Sequence, residues 1–293
     1  MKYSSDEVLR IWRRMQLRLR ILLVFLLLAP SLELDRGPFS GTIVVIGSSQ
    51  NEIVIAADSR ILISGRPQDD ACKIRSLSKT MVFAAAGIAG EGLRAKPIWS
   101  VFAEAQDAFE NVHRRLDPAS GSSELMATAR RWKDSVEADL RDMIRRYPKS
   151  VAELETDEIT TGIFAGIRED GTLAYVSVVL LYRNRSSGDH SPVIESKLTE
   201  IARTTNGWEL HPYGDTAVWK EMQEGLTERS KLAIDQLTML SKGTDHSVVE
   251  SMAVRVAELT VAYSVDGKVG GDVDAVAVDI TGFHWIRRKS TCA

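Results

Sequence analysis

Two hairpin patterns set back to back near the start of the chain constrain its fold more than any other feature. Thr42-Ile-Val-Val-Ile46 and Ile53-Val-Ile-Ala-Ala57 are apolar, largely β-branched runs flanking the polar tract Gly47-Ser-Ser-Gln-Asn-Glu52. Lys73-Ile-Arg-Ser76 and Met81-Val-Phe-Ala-Ala-Ala86 repeat the arrangement around Ser78-Lys79-Thr80. After Gly87-Ile-Ala-Gly90 the period becomes helical: Ile98, Val101, Phe102, Ala105, Phe109, Val112 and Leu116 recur at spacings of three and four. A second helix is predicted over about Glu124 to Arg146. Strands are predicted again at Thr160–Gly166 and Thr172–Tyr182, split by an Asp170-Gly171 turn, with a polar loop at Arg183–Pro192. Two or three helices then fill roughly 216–263, and Val273–Ile280 with Phe283–Ile286 closes the chain as strands. Blocks of strands and helices, in place of strict alternation, argue for stacked α and β layers over a doubly wound sheet.

Composition removes several function classes. The 293 residues suffice for one large domain or two ordinary ones, and 44% hydrophobic with 26% charged residues is globular. Lys and Arg number 37 against 40 Asp and Glu, a net charge of −3, so no basic excess exists to neutralise phosphates and nucleic acid is not expected as a partner. Cys72 and Cys292 cannot make a disulfide framework. The five histidines (His113, His190, His211, His246, His284) form no zinc-ligand spacing, and phosphate-loop, dinucleotide and serine-elbow motifs are absent. Neither a metal nor a cofactor is expected.

The first residues read differently from the rest. Lys2, Arg10, Arg13, Arg14, Arg18 and Arg20 precede ten apolar residues, Ile21 to Pro30. At ~1.5 Å per residue such a run covers about 15 Å, half of a bilayer core, and a basic region before a short apolar run is the form of a secretory signal. Residues 1–31 are therefore read as a signal-like or anchor segment, with a membrane tether through residues 21–30 or a packed propeptide as the other readings. The protein is expected outside the cytoplasm or tethered to a membrane if residues 1–31 are a signal, and in the cytoplasm otherwise. Residues 32–41, with Gly37, Pro38 and Gly41 as breakers, read as a propeptide or linker, and residues 42–293 as one domain.

Hairpin geometry gathers chemistry at strand ends. With the first turn centred on Gln50, Thr42 faces Asp58, Val44 faces Ala56 and Ile46 faces Val54. With the second centred near residue 80, Lys73 comes close to the backbone of Gly87. A threonine, an aspartate, a lysine and a glycine amide then converge if both hairpins belong to one sheet. Each has an ordinary structural explanation alone; the set and its spacings carry the weight.

That set resembles the N-terminal-threonine hydrolases of the proteasome β-subunit type, including the peptidase subunit of bacterial two-component ATP-dependent proteases. Gly41-Thr42 matches their processing junction, and Ala56-Ala-Asp-Ser-Arg60 follows with Asp58 sixteen residues after Thr42. Lys73 fits the family lysine with a loop one residue shorter, and Gly87 stands fourteen residues further on, at the family's oxyanion position. Asp266-Gly-Lys-Val269-Gly270-Gly271 matches the family's Asp-x-x-Ser-Gly-Gly except that a valine replaces the serine, and Tyr213-Gly214-Asp215 lacks a second supporting serine.

The resemblance implies a four-layer αββα sandwich of the N-terminal nucleophile hydrolase type. It implies Thr42, Asp58, Lys73, Gly87 and Asp266 as catalytic residues and Gly41 as the processing residue. A threonine hydroxyl needs an adjacent base, and an α-amine freed at Thr42, with a pKa of about 7.7–8.0, suits that task. Lys73, held charged by Asp58, would favour the neutral amine, and the Gly87 N–H would donate to the oxyanion. The expected protein is a self-processing threonine peptidase, made as a zymogen, that acts on peptides or unfolded chains from a homo-oligomeric ring. The alternatives are an amidase on small substrates using the same threonine, or a catalytically inactive, proteasome-like structural subunit.

Overall fold

The computed structural model describes residues 36–41, 43–63, 66–93, 96–115, 123–146, 158–183, 193–202, 207–225, 227–241, 247–264, 267–290 and 292. The chain divides into two compact units, Met1–Arg36 and Gly37–Ala293. The signal-like segment 1–31 and the Arg183–Pro192 loop after Arg183 lie outside the described residues.

The second unit is a mixed α+β structure in which two antiparallel sheets carry five helices among the described residues. One sheet has nine strands, in the order β11 (Val193–Ala202), β10 (Leu173–Arg183), β9 (Glu158–Ile167), β7 (Met81–Leu93), β1 (Arg36–Gly41), β4 (Ile61–Ile63) and β5 (Arg66–Gln68). Strands β6 (Ile74–Ser76) and β8 (Lys96–Ser100) also pair with β7. The other sheet runs β12 (Trp208–Gly214), β2 (Ile43–Ser49), β3 (Glu52–Asp58), β13 (Val273–Asp279) and β14 (Gly282–Arg287). The helices are α1 (Val101–His113), α2 (Glu124–Arg146), α3 (Ala217–Glu224), α4 (Glu228–Ser241) and α5 (Ser247–Tyr263).

Period-two alternation explains why β2 and β3 read as unbroken apolar runs: both of their faces are buried. Val44, Ile46 and Ile55 point into an apolar cluster shared with Val82, Ala84, Ile163 and Tyr175 of the nine-stranded sheet. Ile43, Val45, Val54 and Ala56 point the other way, into a cluster with Met252, Ala253 and Val256 of α5. A third cluster joins α1 and α2 to the nine-stranded sheet around Phe83, Trp132 and Phe164. There Trp132 donates its indole N–H to the Val101 carbonyl at 2.9 Å, so a fully buried side chain leaves no polar atom unpaired.

Both hairpin registers differ from the sequence expectation. In the first, Val44 pairs with Ala57 and Ile46 with Ile55, a one-residue slip that places Ile43, and not Thr42, level with Asp58. The turn is the two-residue Gln50-Asn51 between β2 and β3, so its centre falls between those residues. In the second, Ile74 pairs with Ala84 and Arg75 with Phe83, which sets Lys73 opposite Ala85 in place of Gly87. One connection was not expected at all: Cys72 and Cys292 form a disulfide, with their Cα atoms 5.4 Å apart and a sequence separation of 220.

Candidate active site

β1 ends at Gly41 in the nine-stranded sheet and β2 begins at Ile43 in the five-stranded one. Position 42 is thus the single residue between strands of different sheets. Gly41 pairs with Ile61 of β4. Thr42 and Asp266 lie outside the described residues.

Asp58 closes β3 and is fully buried, and its carboxylate is surrounded by donors. Oδ1 accepts the backbone N–H of Ile43 at 3.1 Å and pairs with the Lys73 ammonium. Oδ2 accepts the N–H groups of Arg60 at 3.3 Å and Gly270 at 3.1 Å. Lys73 is 1% exposed, so the ion pair is a buried one and removal of either partner strands a charge. Burial pulls the Lys73 pKa below the ordinary lysine range, and the charge of Asp58 and its hydrogen bond oppose that shift.

The segment at 267–271 is docked on this carboxylate through its backbone. The amides of Ser59 and Arg60 donate to the Gly270 carbonyl at 3.3 and 3.0 Å. The Arg60 guanidinium grips both carboxylate oxygens of Asp69, at 2.5 and 2.8 Å, and reaches the carbonyls of Gly267 and Val269 at 3.1 and 3.4 Å. Ser59 Oγ donates to the Asp69 carbonyl at 2.7 Å. Val269, at the position of the family serine, is 3% exposed and packs into the α5 cluster. A Gly270 amide therefore reaches Asp58 beside a valine that has no hydrogen bond to give. Asp69 was missed by sequence reasoning, and Arg60 and Gly270 were read only as motif residues without a role; Arg60 and Asp69 are nine residues apart with no pattern to mark their pairing.

Gly87 lies on β7, two residues beyond Ala85, whose N–H donates to the Lys73 carbonyl at 3.3 Å. Its φ is +80°, and a Cβ there would stand 2.6 Å from the Ile159 carbonyl oxygen, so the position requires glycine on two counts. The structure thus brings Asp58 and Lys73 into contact and sets Gly87 on the neighbouring strand. A cavity of about 560 Å³ is lined by Asp69, Asp272, Val273 and Lys289 among others, and Asp58, Lys73 and Gly87 are not in its lining. Among the described residues no three His, Cys, Asp or Glu side chains are grouped to hold a metal ion.

No family model and no curated protein sequence matches the chain. Among solved structures it is similar to the helical assembly of the Anbu complex from Pseudomonas aeruginosa, at 13% identity over 85% of this chain and 88% of that one, with a TM-score of 0.48. It is similar likewise to Anbu, an ancestral β-subunit, from Yersinia bercovieri, at 13% identity, the same coverage and a TM-score of 0.47. These findings correct the resemblance to the proteasome β-subunit peptidases and to the two-component bacterial proteases: the motifs behind it span about fifty residues, and the solved structures are of Anbu, a proteasome-like but distinct family. The relationship of the whole chain to proteasome-like proteins is accordingly weak, and a likeness of this depth assigns neither a family nor an activity.

Proposed function

We propose that the chain is a self-processing, threonine-type hydrolase of peptide bonds, with Thr42 as nucleophile once the bond after Gly41 is cut. The observation that carries this reading is the course of the chain through the site. The segment that ends at Gly41 lies as a strand between β7, which bears Gly87, and β4, and the next described residue, Ile43, is hydrogen-bonded to Asp58. An extended peptide ending beside a buried Asp–Lys pair is laid out as a substrate would be.

In the proposed chemistry the Thr42 hydroxyl attacks the Gly41 carbonyl, and the Gly41–Thr42 C–N bond breaks as the hydroxyl proton passes to the departing nitrogen. Water then hydrolyses the resulting ester, releasing the Gly41 carboxylate, the Thr42 hydroxyl and the free α-amine. After cleavage the freed α-amine takes the hydroxyl proton in each later cycle, directly or through a water. Lys73 stabilises the negative charge that develops, Asp58 fixes the position of Lys73, and the Gly87 amide serves the oxyanion. Asp266 belongs to the proposal as a polar neighbour of the amine. The finer architecture proposed is the four-layer αββα sandwich of N-terminal nucleophile hydrolases, supported by the three apolar clusters that separate helices, sheet, sheet and helices. Residues 42–293 acting as one domain, and assembly into a homo-oligomeric ring, complete it; sedimentation of the purified protein tests the assembly.

Turnover of a pool of fluorogenic peptide amides tests the chemistry. Lys73→Ala is expected to abolish turnover, and Lys73→Arg to lose it as well, because a planar guanidinium does not replace a compact ammonium beside Asp58. A Lys73 variant that keeps a third of wild-type turnover sinks the reading.

A further inference from the structure

We infer that Thr160 is a positioning residue that aims the Gly87 amide; this rests on the hydrolase reading above. Thr160 stands directly opposite Gly87 on β9 and is fully buried. Its hydroxyl lies 3.1 Å from the Ala86 carbonyl oxygen and 2.7 Å from that of Ile88, so a single proton is shared between the two carbonyls that bracket Gly87.

The consequence follows from peptide geometry. A trans peptide is planar, with its C=O and N–H antiparallel, and none of the described peptide bonds is cis. Holding the Ala86 carbonyl toward Thr160 therefore turns the Gly87 N–H away from β9, toward the side of β7 where β1 and β6 lie. The Ala85 amide, which belongs to the peptide two before that of Gly87, lies on that same side, since it donates to the Lys73 carbonyl. Strand alternation carries the direction from residue 85 to residue 87. At Gly87 φ is positive and the register with β9 ends at the Gly87–Thr160 pair, so beyond it the ladder no longer fixes the peptide plane. The hydroxyl supplies that constraint where the strand loses it.

The aim matters because the segment ending at Gly41 lies on the same side of β7. A carbonyl undergoing attack at the end of that segment would find the Gly87 amide already directed at it, with no reorientation needed during the reaction. Thr160 touches no reacting atom in this scheme. Its effect passes through the peptide plane.

Thr160→Val keeps the shape and removes the hydroxyl, and Thr160→Ser keeps the hydroxyl. Turnover of fluorogenic peptide amides is expected to fall about tenfold in kcat for the valine variant with KM unchanged, a fraction of what losing an oxyanion donor costs. The serine variant is expected to stay within about twofold of wild type on the same ground. The amide resonance of Gly87, assigned by selective labelling, is expected to move in the valine variant and to return in the serine variant. A folded valine variant with wild-type kcat, or an unmoved Gly87 resonance, overturns the inference. Absence of peptide turnover in wild type overturns the hydrolase reading instead, while the Gly87 resonance still decides whether Thr160 sets that amide.

Discussion

Asp58 accepts from three backbone amides and an ammonium, and those four donors arrive from β2, from the turn after β3, from Lys73 and from the 267–271 segment. Its surroundings therefore depend on backbone placement more than on neighbouring side-chain identity, which is why Val269 is compatible with them. Glu52, at the far end of the same strand, has the opposite environment. It is 7% exposed, one carboxylate oxygen has no hydrogen-bond partner, and Glu250 of α5 and Asp279 of β13 add negative charge against a single opposing group, His284 of β14. Burial, followed by Glu250, pushes its pKa up to about 7 from an ordinary 4.5. Between those two values the folded chain binds more protons than the unfolded chain. Stability is therefore expected to fall as pH rises from 4.5 to 7, by an amount on the order of 3 kcal/mol from this group. Glu52→Gln has no proton to lose. Denaturant titrations across that range are expected to show a flatter profile for the variant and a gain over wild type at about pH 8, and parallel profiles would contradict the assignment.

At the scale of elements, legibility followed burial. Helix α2 was readable to its ends, Glu124 and Arg146, because one face carries Leu125, Ala129, Trp132, Val136, Leu140 and Met143 at helical spacing against the nine-stranded sheet. β13 and β14 were readable because their apolar run is bounded by the Asp279 turn, where the carboxylate holds the Thr281 amide at 2.7 Å. β11 and β12 were missed. Both are edge strands, and β11 offers solvent Glu195, Ser196 and Lys197, a polar surface that keeps an edge from pairing with other chains and hides the strand from a hydropathy pattern. β4 and β5, at three residues each, are too short to show a period. β7 runs on through Gly87-Ile-Ala-Gly90 to Leu93, and α1 begins only at Val101, with the Ser100 hydroxyl capping the Phe102 amide. The site was legible where spacing is local, as for Asp58 and Lys73. It was illegible where the partner is remote, as Gly270 is from Asp58 across 212 residues. The one-residue slip in the first hairpin sets Ile43 level with Asp58, where Thr42 was expected, because a polar tract marks a turn without fixing its centre.

At the scale of the whole molecule, Cys72 and Cys292 tie the residue before Lys73 to the C-terminal tail, where Lys289 bridges the Asp274 carboxylate at 3.1 Å and the Ala71 carbonyl at 3.0 Å. A cross-link closing so long a loop restricts the unfolded chain severely, and its loss is expected to cost about 2–4 kcal/mol. Replacing both cysteines by serine is expected to lower the denaturant midpoint, and dithiothreitol to lower it in wild type but not in that variant; a midpoint indifferent to both would contradict the bridge. Residues 1–31 fall outside the described part of the chain, and no described helix is long and apolar enough to cross a membrane. The central proposal concerns the junction of the two sheets, where the chain passes from Gly41 to Ile43. Thr42→Ser is expected to keep part of both processing and turnover, since it keeps the hydroxyl. Intact-mass measurement of purified wild type beside Thr42→Ala tests that proposal most directly. Wild type is expected at the mass of residues 42–293 and the variant still to carry Gly41 and what precedes it, without turnover; wild-type protein that retains Gly41 and nevertheless hydrolyses peptides would contradict the N-terminal nucleophile mechanism.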